Sequence, residues 1–374
     1  MATAPIADTS ILGRWWSSID RWLLAALLIL LAVGAVLTLA ASPAVASRLG
    51  LDSFHFVKRQ LGLMPIALGL ALTISLLSPR GVRRLGTLLF VVFLGLTFAT
   101  LWMGVEIKGA RRWLHLGGFS LQPSEFLKPC FAVAAAWMFA ARQDNPTFPA
   151  NLMAIALYVA VMAALLAQPD VGMAAVVTAI WAGQFFLAGL SLWWVASILL
   201  LGLGGAVAAY LVFPHVASRI DRFLDPGKGD SFQIDRAIEA FGQGGLLGRG
   251  PGEGVVKQVL PDAHTDFIFA VAAEEFGLLV CLGIVVLFAF IVLRGLVRAL
   301  GQVDYFAMLA AAGLMVQFGV QAVINLGVNL HLLPTKGMTL PFVSYGGSSL
   351  LALALGIGMT LALTRRLPDA GRLR

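Results

Sequence analysis

Ten long apolar runs constrain the fold of this chain more than any other feature of its sequence. A run of roughly 20 apolar residues can cross a lipid bilayer as a helix. The predicted spans are 22–41, 61–78, 85–105, 124–141, 148–167, 171–189, 192–213, 266–292, 305–327 and 343–363. The sequence therefore predicts an all-α integral membrane protein with ten transmembrane helices, forming one polytopic domain over residues 1–374.

The composition agrees with a membrane setting. Apolar residues make up 59% of the chain and charged residues 12%, whereas soluble proteins carry about 25% charged residues. The net charge of +7 does not indicate nucleic-acid binding, because the basic residues are scattered between the spans. Cys130 and Cys281 lie inside apolar runs, which predicts buried thiols without a disulfide.

The first span has an alternative interpretation as a signal peptide, because Ala44 and Ala46 follow it in a small-residue cleavage pattern. Its 20 uncharged residues from Trp22 to Ala41 exceed the roughly 7–15 of a signal-peptide apolar region. We therefore expect an uncleaved first helix.

Ten spans place both termini on the same side of the membrane. The raw count of Lys and Arg does not support cytoplasmic termini, but the rule discounts the residues in the long loop at 214–265, and the remaining count favours cytoplasmic termini. We expect that loop, between the seventh and eighth spans, to be extracytoplasmic.

The 214–265 loop is longer than a connection between helices requires. Ile234, Ile238 and Phe241 recur at helical spacing and predict a short helix at the membrane interface; a solvated helix that caps the bundle is the alternative. The glycine-rich segment, residues 242–254, has seven glycines in 13 residues. It matches no nucleotide-binding pattern, and its glycines predict either close approach of a ligand to the backbone or flexibility.

Carboxylates at the eighth span form the centre of the candidate site. Asp266 opens the span where it meets water, and we predict that it is catalytic. Glu274 and Glu275 lie deeper in the same run, where ionisable groups are costly and mark a site or a buried pair. Helical geometry places Glu274 nearer the Asp266 face and Glu275 opposite, so we expect Glu274 to line the site and Glu275 to pair with another helix; packing of both is the alternative.

Further substrate-binding candidates come from other segments. Glu125 and Lys128 share one face of the fourth span, where a structural ion pair is the alternative. Asp170 begins the sixth span, where helix capping alone is the alternative. Prolines and glycines in 331–349 predict irregular backbone lining a cavity. The remaining candidates are Arg111, His264, Lys336 and Ser344; the five histidines show no metal-ligand spacing.

Six motifs together resemble one known family. They are GARRWL at 109–114, QPSEFLK at 122–128, QPDVG at 168–172, AFGQGGLLGRGPGEG at 240–254, AHTDFIFAVAAEE at 263–275 and LPTKGMTLPFVSYGGSSL at 333–350. The chain resembles the SEDS (shape, elongation, division, sporulation) peptidoglycan polymerases, more closely their division member than their elongation member. Asp262 is a small departure, since glutamate is commoner there in the family.

The resemblance implies polymerisation of lipid II on the outer face of the inner membrane, at the division septum. It implies that Asp266 is the essential aspartate, acting as general base. The pyrophosphate leaving group would be held by Arg111, Lys128 and Lys336, or by a divalent cation such as Mg²⁺ or Mn²⁺. The implied partners are a class B penicillin-binding protein of the FtsI type and other divisome membrane proteins. A lipid II flippase, an elongation polymerase and a noncatalytic scaffold are the alternatives.

Overall fold

In the computed structural model, the described residues form a mostly helical bundle. The structure describes residues 10–107, 110–116, 119–145, 147–189, 192–213, 216–218, 220–221 and 232–365. Both chain ends and parts of the GARRWL motif and of the 214–265 loop lie outside the described residues.

A helix covers most of every predicted span. The helices are α1 (Ile11–Ser18), α2 (Arg21–Arg48), α3 (His55–Ser75), α4 (Pro79–Met103), α5 (Pro123–Asp144), α6 (Ala150–Ala167), α7 (Val171–Leu187), α8 (Leu192–Val212), α9 (Phe232–Gly244), α10 (Ile268–Leu300), α11 (Tyr305–Asn329) and α12 (Gly347–Leu363). Within the described residues, six helices are long and apolar enough to cross a membrane: α2, α3, α4, α6, α10 and α11. The shorter α7 and α12 are also apolar.

A small antiparallel sheet between α4 and α5 was not predicted from the sequence. Its strands are β1 (Val105–Ile107), β2 (Ala110–Leu116) and β3 (Phe119–Leu121), paired in the order β1-β2-β3. Strands β1 and β3 have three residues each, too few for an alternating pattern to reveal them.

Two apolar clusters form the core, and α11 and α12 contribute to both. One cluster joins them to α2, α3, α9 and α10, and the other joins them to α4, α5, α6 and α7. Helix α5 packs closely because Ala132, Ala134, Ala135 and Ala136 are all buried, and small side chains let membrane helices approach one another.

The loop before α10 contains the predicted short helix, α9, whose Ile234, Ala237 and Ala240 are buried. The glycine-rich segment then crosses α10 at very close range. A Cβ on Gly244 would lie 1.9 Å from the carbonyl oxygen of Ala273, and one on Gly248 would lie 2.2 Å from that of Glu275. These glycines therefore permit contact with another helix of the same chain, which neither sequence interpretation had included.

Irregular backbone at 331–346, as predicted, precedes α12 and is partly buried, with Met338, Leu340 and Phe342 almost fully covered. Side chains satisfy its backbone groups. Asn325 Nδ2 donates to the Met338 carbonyl (2.6 Å), and Gln321 Nε2 donates to the Thr339 carbonyl (3.1 Å). Non-helical backbone at membrane depth requires such partners.

Candidate functional site

Asp266 lies immediately before α10 and is half-buried. Its backbone carbonyl accepts two hydrogen bonds, from Asn325 Nδ2 at 2.9 Å and from Asn329 Nδ2 at 2.8 Å. Its carboxylate lies against Gly337, where an added Cβ would be 3.0 Å from Asp266 Oδ2. The main chain of Asp266 is thus fixed, while its carboxylate lies beside the 331–346 segment.

The two asparagines belong to a row of buried amides on one face of α11. Gln317, Gln321, Asn325 and Asn329 are each four residues apart and at most 2% exposed, and this spacing keeps them on a single helix face. Asn329 Oδ1 also accepts from the Ala270 amide at 3.2 Å, in the first turn of α10. The row was not predicted from the sequence, although four amide side chains at this spacing in an apolar helix could have indicated a polar face.

A second polar cluster centres on Asp170, at the start of α7. Lys336 Nζ lies 2.5 Å from Asp170 Oδ1, and Arg112 Nη1 lies 3.3 Å from Oδ2. Asp170 also accepts from the Met173 amide at 3.1 Å, so it caps α7 and binds two cations at once. Burial alone would raise the pKa of Asp170, but the charges of Lys336 and Arg112 hold that pKa below its ordinary value.

The 331–346 segment connects the two clusters. Lys336 reaches Asp170, and the next residue, Gly337, faces the Asp266 carboxylate. The Lys336 side chain crosses Gly172, where a Cβ would lie 2.1 Å from Lys336 Cε. One short segment therefore brings a cation-rich cluster beside the predicted catalytic aspartate.

Arg112, rather than the predicted Arg111, joins the Asp170 cluster. Arg112 also donates to the carbonyls of Gln168 (3.1 Å) and Pro169 (2.7 Å). Arg111 is half-exposed and pairs with the exposed Glu106, with Nε 3.5 Å from a carboxylate oxygen. Adjacent residues of a strand point to opposite faces, so a sequence interpretation without β2 could not decide between the two arginines.

Glu125 and Lys128 form the structural ion pair that was the alternative to substrate binding. Lys128 Nζ is 2.8 Å from Glu125 Oε2 and donates to Gln321 Oε1 at 2.9 Å, with the lysine side chain 1% exposed. The ammonium group is therefore buried and engaged within the protein, and Gln321 connects it to the 331–346 segment.

His264 and Ser344 hold the 331–346 segment against the chain that precedes Asp266. Ser344 Oγ donates to the Thr265 carbonyl at 2.5 Å and accepts from the Leu340 amide at 2.8 Å. The His264 ring lies 4.3 Å from the Phe56 ring and 5.5 Å from the Tyr345 ring. Burial lowers the pKa of His264 to about 4, so this ring is neutral at pH 7.

Glu274 is fully buried and anchors the loop before α10. Its carboxylate accepts from the backbone amides of Val255 (2.6 Å), Val256 (2.7 Å) and Lys257 (3.0 Å). We expected Glu274 to line the site. Instead, the loop folds back over α10, and its backbone amides bind both oxygens of the Glu274 carboxylate.

Glu275 pairs with Lys257 of this loop and accepts from the Gly252 amide at 3.0 Å. We expected its partner on another helix; Lys257 also donates to the Ala40 carbonyl on α2, at 3.0 Å. The positive charge that pairs with Glu275 therefore comes from the loop, and the same Lys257 side chain makes the contact with α2.

Among the described residues, no group of three or more His, Cys, Asp or Glu side chains comes together, and Asp170 is already paired with two cationic side chains. Both cysteines are buried and free, as predicted.

The fold and this site define a class: an α-helical integral membrane protein with a carboxylate and a paired cation cluster at one end of its bundle. Residues 21–367 match the FtsW/RodA/SpoVE family, described as cell cycle proteins. The chain belongs to this family.

Relatives and solved structures agree on this family. A probable peptidoglycan glycosyltransferase FtsW from Caulobacter vibrioides is 47% identical over 97% of this chain and 93% of its own length. The protein of the same name from Tolumonas auensis is 36% identical, over 94% of each chain.

Two solved structures share the fold. One is a chain of a peptidoglycan synthase complex, studied for how it coordinates polymerisation and crosslinking; its TM-score is 0.76, with 29% identity, covering 93% of this chain and 98% of that one. The other is the rod shape determining protein RodA of Thermus thermophilus, with a TM-score of 0.70, 29% identity, and coverage of 93% and 97%.

Proposed function

We propose that this protein is a peptidoglycan glycosyltransferase that polymerises lipid II into glycan strands during septal cell-wall synthesis. One observation carries the proposal: the half-buried carboxylate of Asp266 lies beside the segment that carries Lys336. A base and a cation brought together at the end of a membrane bundle suit the transfer of a sugar from a lipid pyrophosphate.

In this mechanism Asp266 acts as the general base. The 4-hydroxyl of the acceptor sugar attacks the anomeric carbon of the donor, and its proton passes to the Asp266 carboxylate. The bond from that carbon to the lipid pyrophosphate breaks with inversion. A sugar hydroxyl is a weak nucleophile, so a positioned base contributes about 10²–10⁴-fold to the rate. Asn325 and Asn329 fix the backbone that carries this base.

Lys336 and Arg112 are the proposed stabilisers of the leaving pyrophosphate. Two cations share the single carboxylate of Asp170, so the cluster keeps a net positive charge. Fixed cations stabilise charge that develops in the transition state. We propose that Lys128, Glu125 and Arg111 contact the substrate in conformations other than that of the structure. We propose that His264, Ser344 and Glu274 instead position the segments that surround the site.

We further propose ten membrane crossings, with both termini in the cytoplasm and Asp266 on the outer face, in the inner membrane at the septum. Cysteine labelling tests the orientation, because the native Cys130 and Cys281 are buried. An impermeant maleimide added outside intact spheroplasts should label Leu247→Cys, at a position 79% exposed, and should not label Arg84→Cys until the membrane is permeabilised. Labelling of Arg84→Cys from outside would reverse the orientation.

The proposed partner is a class B penicillin-binding protein of the FtsI type, within an assembly of other divisome membrane proteins. The likeness to a chain of a peptidoglycan synthase complex supports it.

The alternative of a lipid II flippase has less support, because transporters place their sites near the membrane midplane, whereas Asp266 lies before the first turn of α10. The division rather than the elongation role rests on relatives named FtsW.

Purified protein and lipid II in detergent or liposomes test the proposed function. We expect glycan strands, separated by length on a gel, from the protein together with its penicillin-binding partner when that partner's transpeptidase is blocked. Controls contain the partner alone or substrate alone. Transbilayer movement of lipid II without glycan strands would instead favour the flippase.

A further inference from the structure

A cavity of about 240 Å³ lies at the end of the bundle opposite Asp266, and the proposed reaction does not use it. Helix α11 fixes this placement: Asn329 at one end contacts Asp266, and Tyr305 at the other end lines the cavity. A helix of this length spans about 37 Å. The cavity is lined by Pro79, Arg80, Arg83, Trp137, Ala140, Gln143, Asp304, Tyr305 and Phe306.

The charges around the cavity favour an anion. Arg80 and Arg83 both line it, and Arg83 is held over the Trp137 ring, with 5.5 Å from its guanidinium carbon to the ring centroid. The N-termini of α4 and α11 also meet here, and helix N-termini carry partial positive charge. Asp304 opposes them with one negative charge, but that carboxylate caps α11 by accepting from the amides of Phe306 (3.0 Å) and Ala307 (3.3 Å).

The surroundings indicate which kind of anion fits. Arg80, Gln143 and Asp304 are exposed, so the cavity opens to the outside of the bundle. Trp137 and Tyr305 are half-buried beside them, and such aromatic side chains are typical of the level of lipid headgroups. An arginine fork matches the geometry of a phosphate group.

We propose that this cavity binds the phosphate group of an anionic glycerophospholipid at the membrane surface opposite the catalytic face. Arg80 and Arg83 bind the phosphate oxygens, and Trp137 with Tyr305 packs against the glycerol. The site is separate from the substrate site, and it does not depend on the proposed glycosyltransferase reaction.

Calorimetric titration of the full-length protein in detergent tests the site, with the heat of titrating empty micelles subtracted. The ligands are dioctanoyl phosphatidylglycerol, dioctanoyl phosphatidylcholine and inorganic phosphate. We expect saturable binding of phosphatidylglycerol at one site, at least tenfold tighter than that of the other two ligands. Equal affinity for phosphatidylcholine would overturn the anion site, and equal affinity for inorganic phosphate would overturn its assignment to a lipid.

Charge variants separate this site from the general attraction of basic surfaces to anionic lipid. Arg80→Gln and Arg83→Gln should each weaken phosphatidylglycerol binding at least fivefold. The matched control is Arg84→Gln, which removes the same charge from an exposed position of the same helix outside the cavity lining, and it should change binding less than twofold. Equal losses in all three variants would leave only nonspecific attraction and sink the proposal.

A third kind of variant is expected to strengthen phosphatidylglycerol binding, a result that misfolding could not produce. Asp304→Asn keeps a side chain that can cap α11 while removing the one negative charge that the described residues place in the cavity lining, so it should tighten phosphatidylglycerol binding severalfold. Loss of binding in this variant, with unchanged helical circular dichroism and melting temperature, would contradict the assigned role of the cavity charges.

Discussion

Asp266→Asn is expected to abolish glycan polymerisation while leaving the protein folded in the membrane. The amide keeps the size of the side chain but cannot take up the proton of the acceptor hydroxyl, so the rate should fall about 10²–10⁴-fold. The contacts of Asn325 and Asn329 go to the backbone carbonyl of residue 266, so they should survive the change. Gel analysis of lipid II products and the melting temperature together measure this result.

Asp262→Asn is the matched control for this variant. Asp262 is a second half-buried aspartate, four residues earlier in the same turn region. Its φ of 51° is positive, a conformation that asparagine tolerates, so its replacement should leave polymerisation within a fewfold of the unchanged protein. Activity of Asp266→Asn within threefold of the unchanged protein would refute its role as the base, while leaving the family assignment intact.

Lys128→Met is expected to cause the largest loss of stability. It leaves the buried Glu125 carboxylate without the ammonium group 2.8 Å away, and breaking one side of a buried pair costs about 3–5 kcal/mol. The double variant Glu125→Gln with Lys128→Met removes both charges, so its melting temperature should return towards that of the unchanged protein.

An exposed ion pair with the same spacing is a control for the effect of burial on the stability that the Glu125–Lys128 pair contributes. Arg236 and Glu239 are also three residues apart on one helix, but both are more than one-third exposed. Exposed pairs contribute only about 0–1 kcal/mol, so Arg236→Met should be almost neutral. Equal destabilisation by Lys128→Met and Arg236→Met would contradict the prediction that burial makes the Glu125–Lys128 pair more important for folding stability than an exposed pair.

The activity of the double variant decides the role of Lys128. If the folded double variant polymerises lipid II at the normal rate, Lys128 is structural and the pyrophosphate contacts rest on Lys336 and Arg112. If it folds but does not polymerise, the buried ammonium group contributes to substrate binding, which requires the Gln321 contact at 2.9 Å to open during the reaction.

The membrane class, the helix at 232–244 and the irregular segment at 331–346 were predictable from sequence, because each depends on local composition. Long apolar runs cannot expose backbone to lipid and therefore form helices. Helical spacing at Ile234, Ile238 and Phe241 produced α9, and prolines with glycines kept residues 331–346 out of a helix. The Glu125–Lys128 pair was equally local, since three-residue spacing on a helix brings the two charges together.

Long-range packing decided the partners of the remaining charged and glycine residues. The choice of Arg112 over Arg111 at Asp170 depended on a short strand that only the folded sheet reveals. The glycine-rich segment met α10, and Glu274 bound the backbone amides of a loop 17 to 19 residues before it. A sequence specifies which residues carry charge and where helices form. The neighbour of each charge comes from segments that are distant in the chain, and the cost of burying an unpaired ionic group then selects the arrangement in which it has a partner.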